Sequence, residues 1–383
     1  MRRTATRVWQ VRLAGAIGVA RGAAAIALLA LLSASTAFAQ QDKAIPPRPT
    51  FDRRAVNQDQ HDWRAYFDCG FTVETKPEMR ACFYWASRLE PSRPEPLYAA
   101  WRLSDDKDTL ALSRALRLDP FIIDARVRPI TQPRAGYFTS PESRGWSAMS
   151  AGDYFAATKA FDVHLAREPD DLDARIADAI ALYYRAMYDS SVAQLGVIEQ
   201  ALRARGAAHL ARRYRPLSLI AYMQGVADAA GGRGDRAREA LQRALTEDLT
   251  FYQARMLLAD LELAAGDTAG ADADWTQVRE LSTGDVVARR RYATFLLQTG
   301  RPADAERELR GVIEAEPRWA AARFDLAVAL AAQGGATGDM ATSDRAKHDG
   351  AIRAFEDFLA LAPASATDAR RAAGDRLAAL RAP

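Results

Sequence analysis

The stretch GRPADAERELRGVIEAEP, residues 300–317, has the pattern of one amphipathic helix with both ends marked. Pro302 suits a first helical position, where its missing N–H would have had no partner. Gly300 suits the left-handed residue that ends the helix before it, and Pro317 ends the pattern. The side chains predicted to share the buried face, at i, i+4 and i+7, are Ala305, Leu309 and Val312.

This pattern recurs along the chain with a period of 34 residues. A fixed period of this length, with a helical pattern on both sides of a glycine, indicates a repeat of helix pairs. One pair cannot bury its own apolar face, so pairs of this kind must stack. The recurring residues are Gly232, Gly266, Gly300 and Gly334 at the turn, Ala237, Ala271 and Ala305 after it, and Ala254, Ala288 and Ala322 before it.

The repeat resembles the tetratricopeptide repeat family. The family places a small residue in the first helix, a glycine in the turn, an alanine in the second helix and a proline at its end, here Ala293, Gly300, Ala305 and Pro317. A second good match surrounds the turn Gly152-Asp153-Tyr154. The resemblance implies an all-α fold, a right-handed α-solenoid of stacked antiparallel helix pairs.

Five segments follow from these patterns. Five arginines and an apolar run precede the small residues Ala37 to Ala39, which is typical of a signal peptide. Twelve residues more than in the preceding copies follow Gly334, which predicts an inserted loop at 335–350 of partner-binding or neutral character. The predicted segments are a signal peptide (1–39), a flexible linker (40–58), degenerate helical repeats (59–135), the regular repeat array (136–363) and a C-terminal capping helix (364–383).

Removal of a signal peptide would change the charge of the protein. The five arginines before residue 40 are accompanied by no acidic residue, so the formal net charge falls from +3 to −2. This balance does not favour a nucleic-acid-binding surface. We expect a periplasmic or secreted protein. An uncleaved N-terminal anchor is the alternative, although the uncharged run from Gly22 to Phe38 is shorter than most membrane spans.

Cys69 and Cys82 are the only two cysteines. In an oxidising compartment, two cysteines this close in sequence indicate a disulfide, with two buried thiols as the alternative. The repeat pattern places Cys69 in the first helix and Cys82 in the second helix of the first degenerate pair. A disulfide there would compensate for the poor packing of an irregular repeat.

The sequence gives no sign of catalytic or cofactor chemistry. The four histidines are scattered, and His164 is expected to have a packed or solvated role on a second helix. Motifs for a nucleophile elbow, a phosphate loop and a dinucleotide site are lacking, and no histidine stands at metal-ligand spacing from the cysteines. We expect neither a cofactor nor a metal, and no enzyme.

Binding to a protein or peptide is the function that the resemblance implies, through a concave surface formed by the first helix of each pair. Arg290 and Arg291 would offer charge-assisted contacts to a carboxylate. Each aromatic residue at helical spacing could instead pack between neighbouring helices. The family's carboxylate clamp of lysine and asparagine is not found. The residues predicted to face the groove are Tyr183, Tyr184, Tyr222, Met223, Met256, Asp260, Arg290, Arg291, Thr294, Gln298, Phe324 and Asp325.

These observations together predict an exported scaffold or adaptor that binds a protein partner during assembly of cell-envelope complexes. Two other hypotheses remain. The chain could be a structural subunit of a larger membrane complex, held by an uncleaved N-terminal helix. It could also be an enzyme with a site in the irregular N-terminal part around Cys69, which would require an ordered pocket with a free thiol.

Overall fold

Helices account for all the regular secondary structure in the part of the chain that the computed structural model describes, residues 45–51, 57–105, 107–122, 140–205, 216–334 and 342–382. The predicted all-α class is therefore confirmed. The helices are α1 (Trp63–Cys69), α2 (Lys76–Leu89), α3 (Glu95–Leu103), α4 (Thr109–Leu118), α5 (Pro141–Ala151), α6 (Tyr154–Leu165), α7 (Leu172–Tyr184), α8 (Tyr188–Arg205), α9 (Leu217–Ala230), α10 (Gly234–Glu247), α11 (Tyr252–Ala264), α12 (Thr268–Leu281), α13 (Val286–Gln298), α14 (Pro302–Ala315), α15 (Ala320–Ala331), α16 (Thr342–Leu361) and α17 (Thr367–Arg381).

The helices stack in chain order, as a solenoid requires. From α5 to α17 each helix contacts the next. Short turns join the two helices of the pairs α5–α6, α7–α8, α9–α10, α11–α12 and α13–α14, so these pairs run antiparallel. The helices α1 to α4 form two further pairs with the same consecutive contacts. Residues 48–383 belong to one compact unit, while residues 45–47, which have no regular secondary structure, belong to a separate unit comprising residues 1–47.

The small residues of the 34-residue register lie where the helices approach most closely. Ala259, Ala293 and Ala327, one in each successive first helix, have no exposed surface. Any larger side chain would push apart the two helices that meet there. Gly300 has φ of +72° and ends α13, and Pro302 is the first residue of α14, as predicted.

A disulfide between Cys69 and Cys82 joins the end of α1 to the middle of α2. Both half-cystines are buried, and their Cα atoms are 5.8 Å apart. The predicted bond and its placement across the first degenerate pair are confirmed. The sequences Leu-Glu-Pro and Leu-Asp-Pro lie at the ends of α2 and α4.

The predicted inserted loop at 335–350 is helical in the part that the structure describes. The helix α16 begins at Thr342, so the second half of the insertion extends the second helix of its pair. Lys347, inside this extension, forms an ion pair with Glu306 on α14 at 2.5 Å, which gives the added turns a partner in the preceding pair. Residues 335–341 lie outside the described part of the chain.

The predicted signal peptide and most of the predicted linker also lie outside the described residues. Residues 48–51, inside the predicted linker, contact α1: Arg48 donates hydrogen bonds to Tyr66 and to the carbonyl of Gln60, and Phe51 packs edge-on against Tyr66. Among the helices that the structure describes, none combines the length and apolar character needed to cross a membrane.

Candidate protein-binding surface

The first helices of the array, α7, α9, α11, α13 and α15, carry the twelve residues predicted to face a groove. Tyr222, Met223 and Met256 are 7%, 0% and 3% exposed and belong to the core between helices. The exposure expected of these three residues is therefore not found. Tyr222 follows the packing alternative given for aromatic residues, while the burial of Met223 and Met256 differs from the prediction. Burial also raises the pKa of the Tyr222 phenol to about 12.

Tyr183 and Tyr184, at the end of α7, are half-buried beneath the segment that follows α4. The ring of Phe121 stacks on Tyr183 at a centroid distance of 3.8 Å and an interplanar angle of 3°. The hydroxyl of Tyr184 donates a 2.9 Å hydrogen bond to the carbonyl oxygen of Phe121. The chain thus covers the two groove residues of α7 with its own N-terminal part.

Four of the predicted residues remain exposed together on α11 and α13: Asp260, Arg291, Thr294 and Gln298. We call these four residues the open strip. Arg291 forms an ion pair with Asp260 across the two helices. Thr294 and Gln298 follow Arg291 at i+3 and i+7, on one face of α13, and the hydroxyl of Thr294 donates a hydrogen bond to the carbonyl of Arg290.

Arg290 and Asp325 are occupied within the chain. Arg290 donates a 2.7 Å hydrogen bond to Asp325 on α15, and its guanidinium lies 5.0 Å from the ring centre of Trp319. The carboxylate expected for Arg290 is therefore supplied by the array itself. Phe324 packs between α16 and α17, edge-on to Phe355 and Phe358 and beneath the guanidinium of Arg376.

The N-terminal helices dock further along the array through side chains that sequence reasoning missed. Arg88 of α2 pairs with Glu316 at 2.6 Å, and the indole N–H of Trp319 donates a 2.9 Å hydrogen bond to Glu90. Arg318 lies over the ring of Trp85 at 5.4 Å. Desolvation raises the pKa of Glu316 to about 7, against the opposing effect of Arg88. These contacts join residues more than 220 positions apart, so no local sequence pattern predicts them.

The docking continues to the last turn of the array. The hydroxyl of Ser365 donates a 3.0 Å hydrogen bond to Asp62, and the amide of Ala364 donates one of 2.7 Å to Asp59. Asp62 also caps the N-terminus of α1 by accepting from the amide of Arg64. The N-terminal helices therefore lie against the array from α7 to the turn before α17, which leaves the open strip as the accessible part of the predicted groove residues.

A recurrent arginine in the first helices is a second feature that the sequence reasoning missed. Arg289 donates a 2.7 Å hydrogen bond to Glu308 in the second helix of the same pair. Arg323 holds the carbonyl of Pro317 at 2.7 Å and so fixes the turn before α15. The signal was present as Ala-Arg at 34-residue spacing for Arg255, Arg289 and Arg323, and Arg175 also follows an alanine but lies outside that spacing. The bonded pairs are Arg175 with Gln194, Arg255 with Asp274, Arg289 with Glu308 and Arg323 with Asp357.

Asp178 of α7 is a buried acid that gives the array a pH dependence. It is 1% exposed, and its Oδ2 accepts from Gln194 while its Oδ1 has no partner. Burial, with a smaller contribution from Asp162, raises its pKa to about 7. The folded protein therefore keeps a proton on Asp178 up to about pH 7, whereas the unfolded chain releases it near pH 4. The contribution of Asp178 to the free energy of unfolding is thus fully present below pH 4 and is lost as the pH rises to about 7.

We expect Asp178→Asn to remove this loss, because the amide stays neutral at every pH. Urea unfolding at pH 5 and pH 8 should show a smaller difference between the two pH values in the variant than in wild type. Asp162→Asn, an exposed neighbour on α6, serves as the control and should change the difference only slightly. An unaltered pH difference in Asp178→Asn would contradict the assignment.

One group of residues in the described part of the chain has the composition of a metal site. The side-chain ligand atoms of His164, Glu168 and Asp171 lie within 4.8 Å of one another, a proximity that the sequence reasoning did not predict. Asp171 is already used as the N-cap of α7, and its Oδ2 bonds to the Nε2 of buried His164 at 2.9 Å. This bond matches the packed role expected of His164.

Comparisons with known proteins give one family match and several distant structural similarities. Residues 262–323 match the family model described as tetratricopeptide repeat. No curated protein sequence matches. The C-terminal part of a TPR repeat-containing protein from Cytophaga hutchinsonii is 15% identical, covering 57% of this chain and 84% of that chain with a TM-score of 0.45. A tetratricopeptide repeat protein from Parabacteroides merdae is 12% identical, covering 63% and 98% with a TM-score of 0.40. YrrB, titled a TPR protein with an unusual peptide-binding site, is 15% identical, covering 54% and 93% with a TM-score of 0.37.

The matched residues run from the end of α11 into α15, across the helix pairs in which the 34-residue repeat is clearest. The predicted resemblance is confirmed: residues 262–323 match tetratricopeptide repeats, and the described part of the chain is an array of helix pairs.

Proposed function

We propose that this protein is an exported, non-catalytic adaptor that binds a protein or peptide partner in the cell envelope through the open strip. The observation that supports this proposal is the contrast along the first helices. Tyr183, Tyr184 and Tyr222 are engaged within the chain, whereas Arg291, Thr294 and Gln298 present one accessible face of α13. A rim of polar and charged side chains of this type suits a reversible interface with a polar or charged segment.

The test adds charge to the open strip and removes one exposed hydrogen bond, from Thr294 to the carbonyl of Arg290. Thr294→Glu/Gln298→Glu should abolish capture of the partner from envelope extracts under mild crosslinking. The chain offers a matched control, because Gln242 and Thr246 are an exposed pair with the same residue types four apart on the second helix α10. Gln242→Glu/Thr246→Glu should leave the captured proteins unchanged. An identical partner set for all three proteins would remove the open strip from the proposal.

The proposed export of the protein is tested by a separate experiment. We expect the mature protein to begin after Ala39 and to be released with the periplasmic or secreted fraction. Retention in membranes after salt and carbonate washing, with Met1 still present, would instead favour the membrane-anchored subunit. The third hypothesis, an enzyme around Cys69, required a free thiol. Cys69 is bonded to Cys82, which counts against it.

A further inference from the structure

A cavity lies between the N-terminal helices and the array. Its volume is about 430 Å³, and it is bounded by one face of α4, the start of α9 and the turn from α10 to α11. Leu112 and Leu116 of α4, Leu219 of α9 and Phe251 form its apolar wall, and all four side chains are buried. Ser113 is exposed at the mouth. Cavities of about 300 to 1,000 Å³ with mostly apolar walls are the usual sites of small organic ligands.

The cavity also contains a cation that forms no ion pair with the residues that the structure describes. Arg117 lines it, and the guanidinium lies 5.4 Å from the ring centre of Phe251. Among the residues that the structure describes, no carboxylate comes within ion-pair distance of Arg117, although Arg88, Arg255, Arg289 and many others have one. A half-buried guanidinium beside apolar walls gains most from a carboxylate that it can bind with two hydrogen bonds.

Asp248 is the second charged group in the cavity, and it limits the negative charge that a ligand can carry. One oxygen of Asp248 accepts hydrogen bonds from the amide and the hydroxyl of Thr250, at 2.9 and 2.7 Å, which fixes the position of this carboxylate at the wall. A ligand with more than one negative charge would be repelled by it. The cavity therefore favours a single carboxylate next to Arg117 and an apolar body on the leucine side.

We propose that this cavity binds a small organic acid with an apolar body, whose carboxylate pairs with Arg117 and whose apolar part contacts Leu112, Leu116, Leu219 and Phe251. The site is independent of the open strip, since it uses α4 and the turn before α11. Because its walls come from both the N-terminal helices and the array, the bound acid would also strengthen the docking of one on the other.

Calorimetric titration of the full-length protein with decanoate and with decanol tests the site, because the two probes share an apolar chain and differ in charge. We expect decanoate to bind and decanol to bind at least about tenfold more weakly. Arg117→Leu should remove that preference, and Arg117→Lys should keep part of it. Arg114→Leu is the matched control, because Arg114 is exposed on α4 and does not line the cavity.

Two further variants locate the bound probe. Ser113→Trp should close the mouth and abolish binding of decanoate, while Asp248→Asn should tighten it by removing the like charge. Circular dichroism of each variant shows whether its helices are retained. The proposal is overturned if wild type does not bind decanoate, if decanoate and decanol bind equally, if Ser113→Trp binds as wild type does, or if only a peptide with a C-terminal leucine carboxylate binds.

Discussion

Replacing Trp319 with alanine is expected to lower the free energy of unfolding by about 3 to 5 kcal/mol, the usual effect of removing a buried tryptophan. Trp319 is 1% exposed and joins three parts of the molecule: the turn before α15, Glu90 at the end of α2 and Arg290 on α13. Its removal leaves a cavity and deprives Glu90 of a donor. Urea unfolding followed by circular dichroism measures the change.

Two controls separate the contributions to this effect. Trp319→Phe keeps most of the packing and loses only the indole hydrogen bond, so it should cost about 1 kcal/mol. Trp146→Ala, on α5, removes a tryptophan that is 42% exposed and should have less than half the effect of Trp319→Ala. Equal destabilisation by Trp146→Ala and Trp319→Ala would contradict the contacts described between Trp319 and the N-terminal helices.

Loss of the Cys69–Cys82 disulfide is expected to cost about 3 kcal/mol, because the bond closes a short loop in the unfolded chain. The two cysteines are 13 residues apart and both are buried, so Cys69→Ala/Cys82→Ala avoids placing a polar group in the core. Hydrogen exchange should show faster opening of α1 and α2, while α11 to α14 keep their protection.

Reduction of the wild-type protein provides the comparison for the double alanine variant. With dithiothreitol present, wild type should unfold at the denaturant concentration of the variant, since both lack the bond. The variant itself should be insensitive to dithiothreitol. A wild-type protein whose unfolding midpoint is the same with and without dithiothreitol would contradict a stabilising disulfide.

The sequence predicted those features that repeat. Ala259, Ala293 and Ala327 are spaced by the period, and a small residue at a close helix contact can be recognised from that spacing alone. The disulfide could be predicted because two cysteines close in sequence leave few alternatives. Helical periodicity also predicted the first helix of each pair in the array.

Burial along those first helices could not be predicted in the same way. Helical spacing gives Met223 and Thr294 similar chances of facing the groove, yet Met223 has no exposed surface and Thr294 is exposed. The difference depends on which neighbour covers each position. At Tyr183 that neighbour is Phe121, from a segment 62 residues earlier, and no period connects the two.

The hydrogen bond from Ser365 to Asp62 joins residues 303 positions apart. In an open repeat array each pair touches only its neighbours, so folding can begin anywhere and terminal pairs can be lost one at a time. Here the first helix pair needs the turn before α17 as well as α14 and α15 for its contacts. Helices α1 and α2 can complete their packing only after the turn before α17 has been synthesised, so assembly of this solenoid acquires the slow, all-or-none character of a protein with long-range contacts.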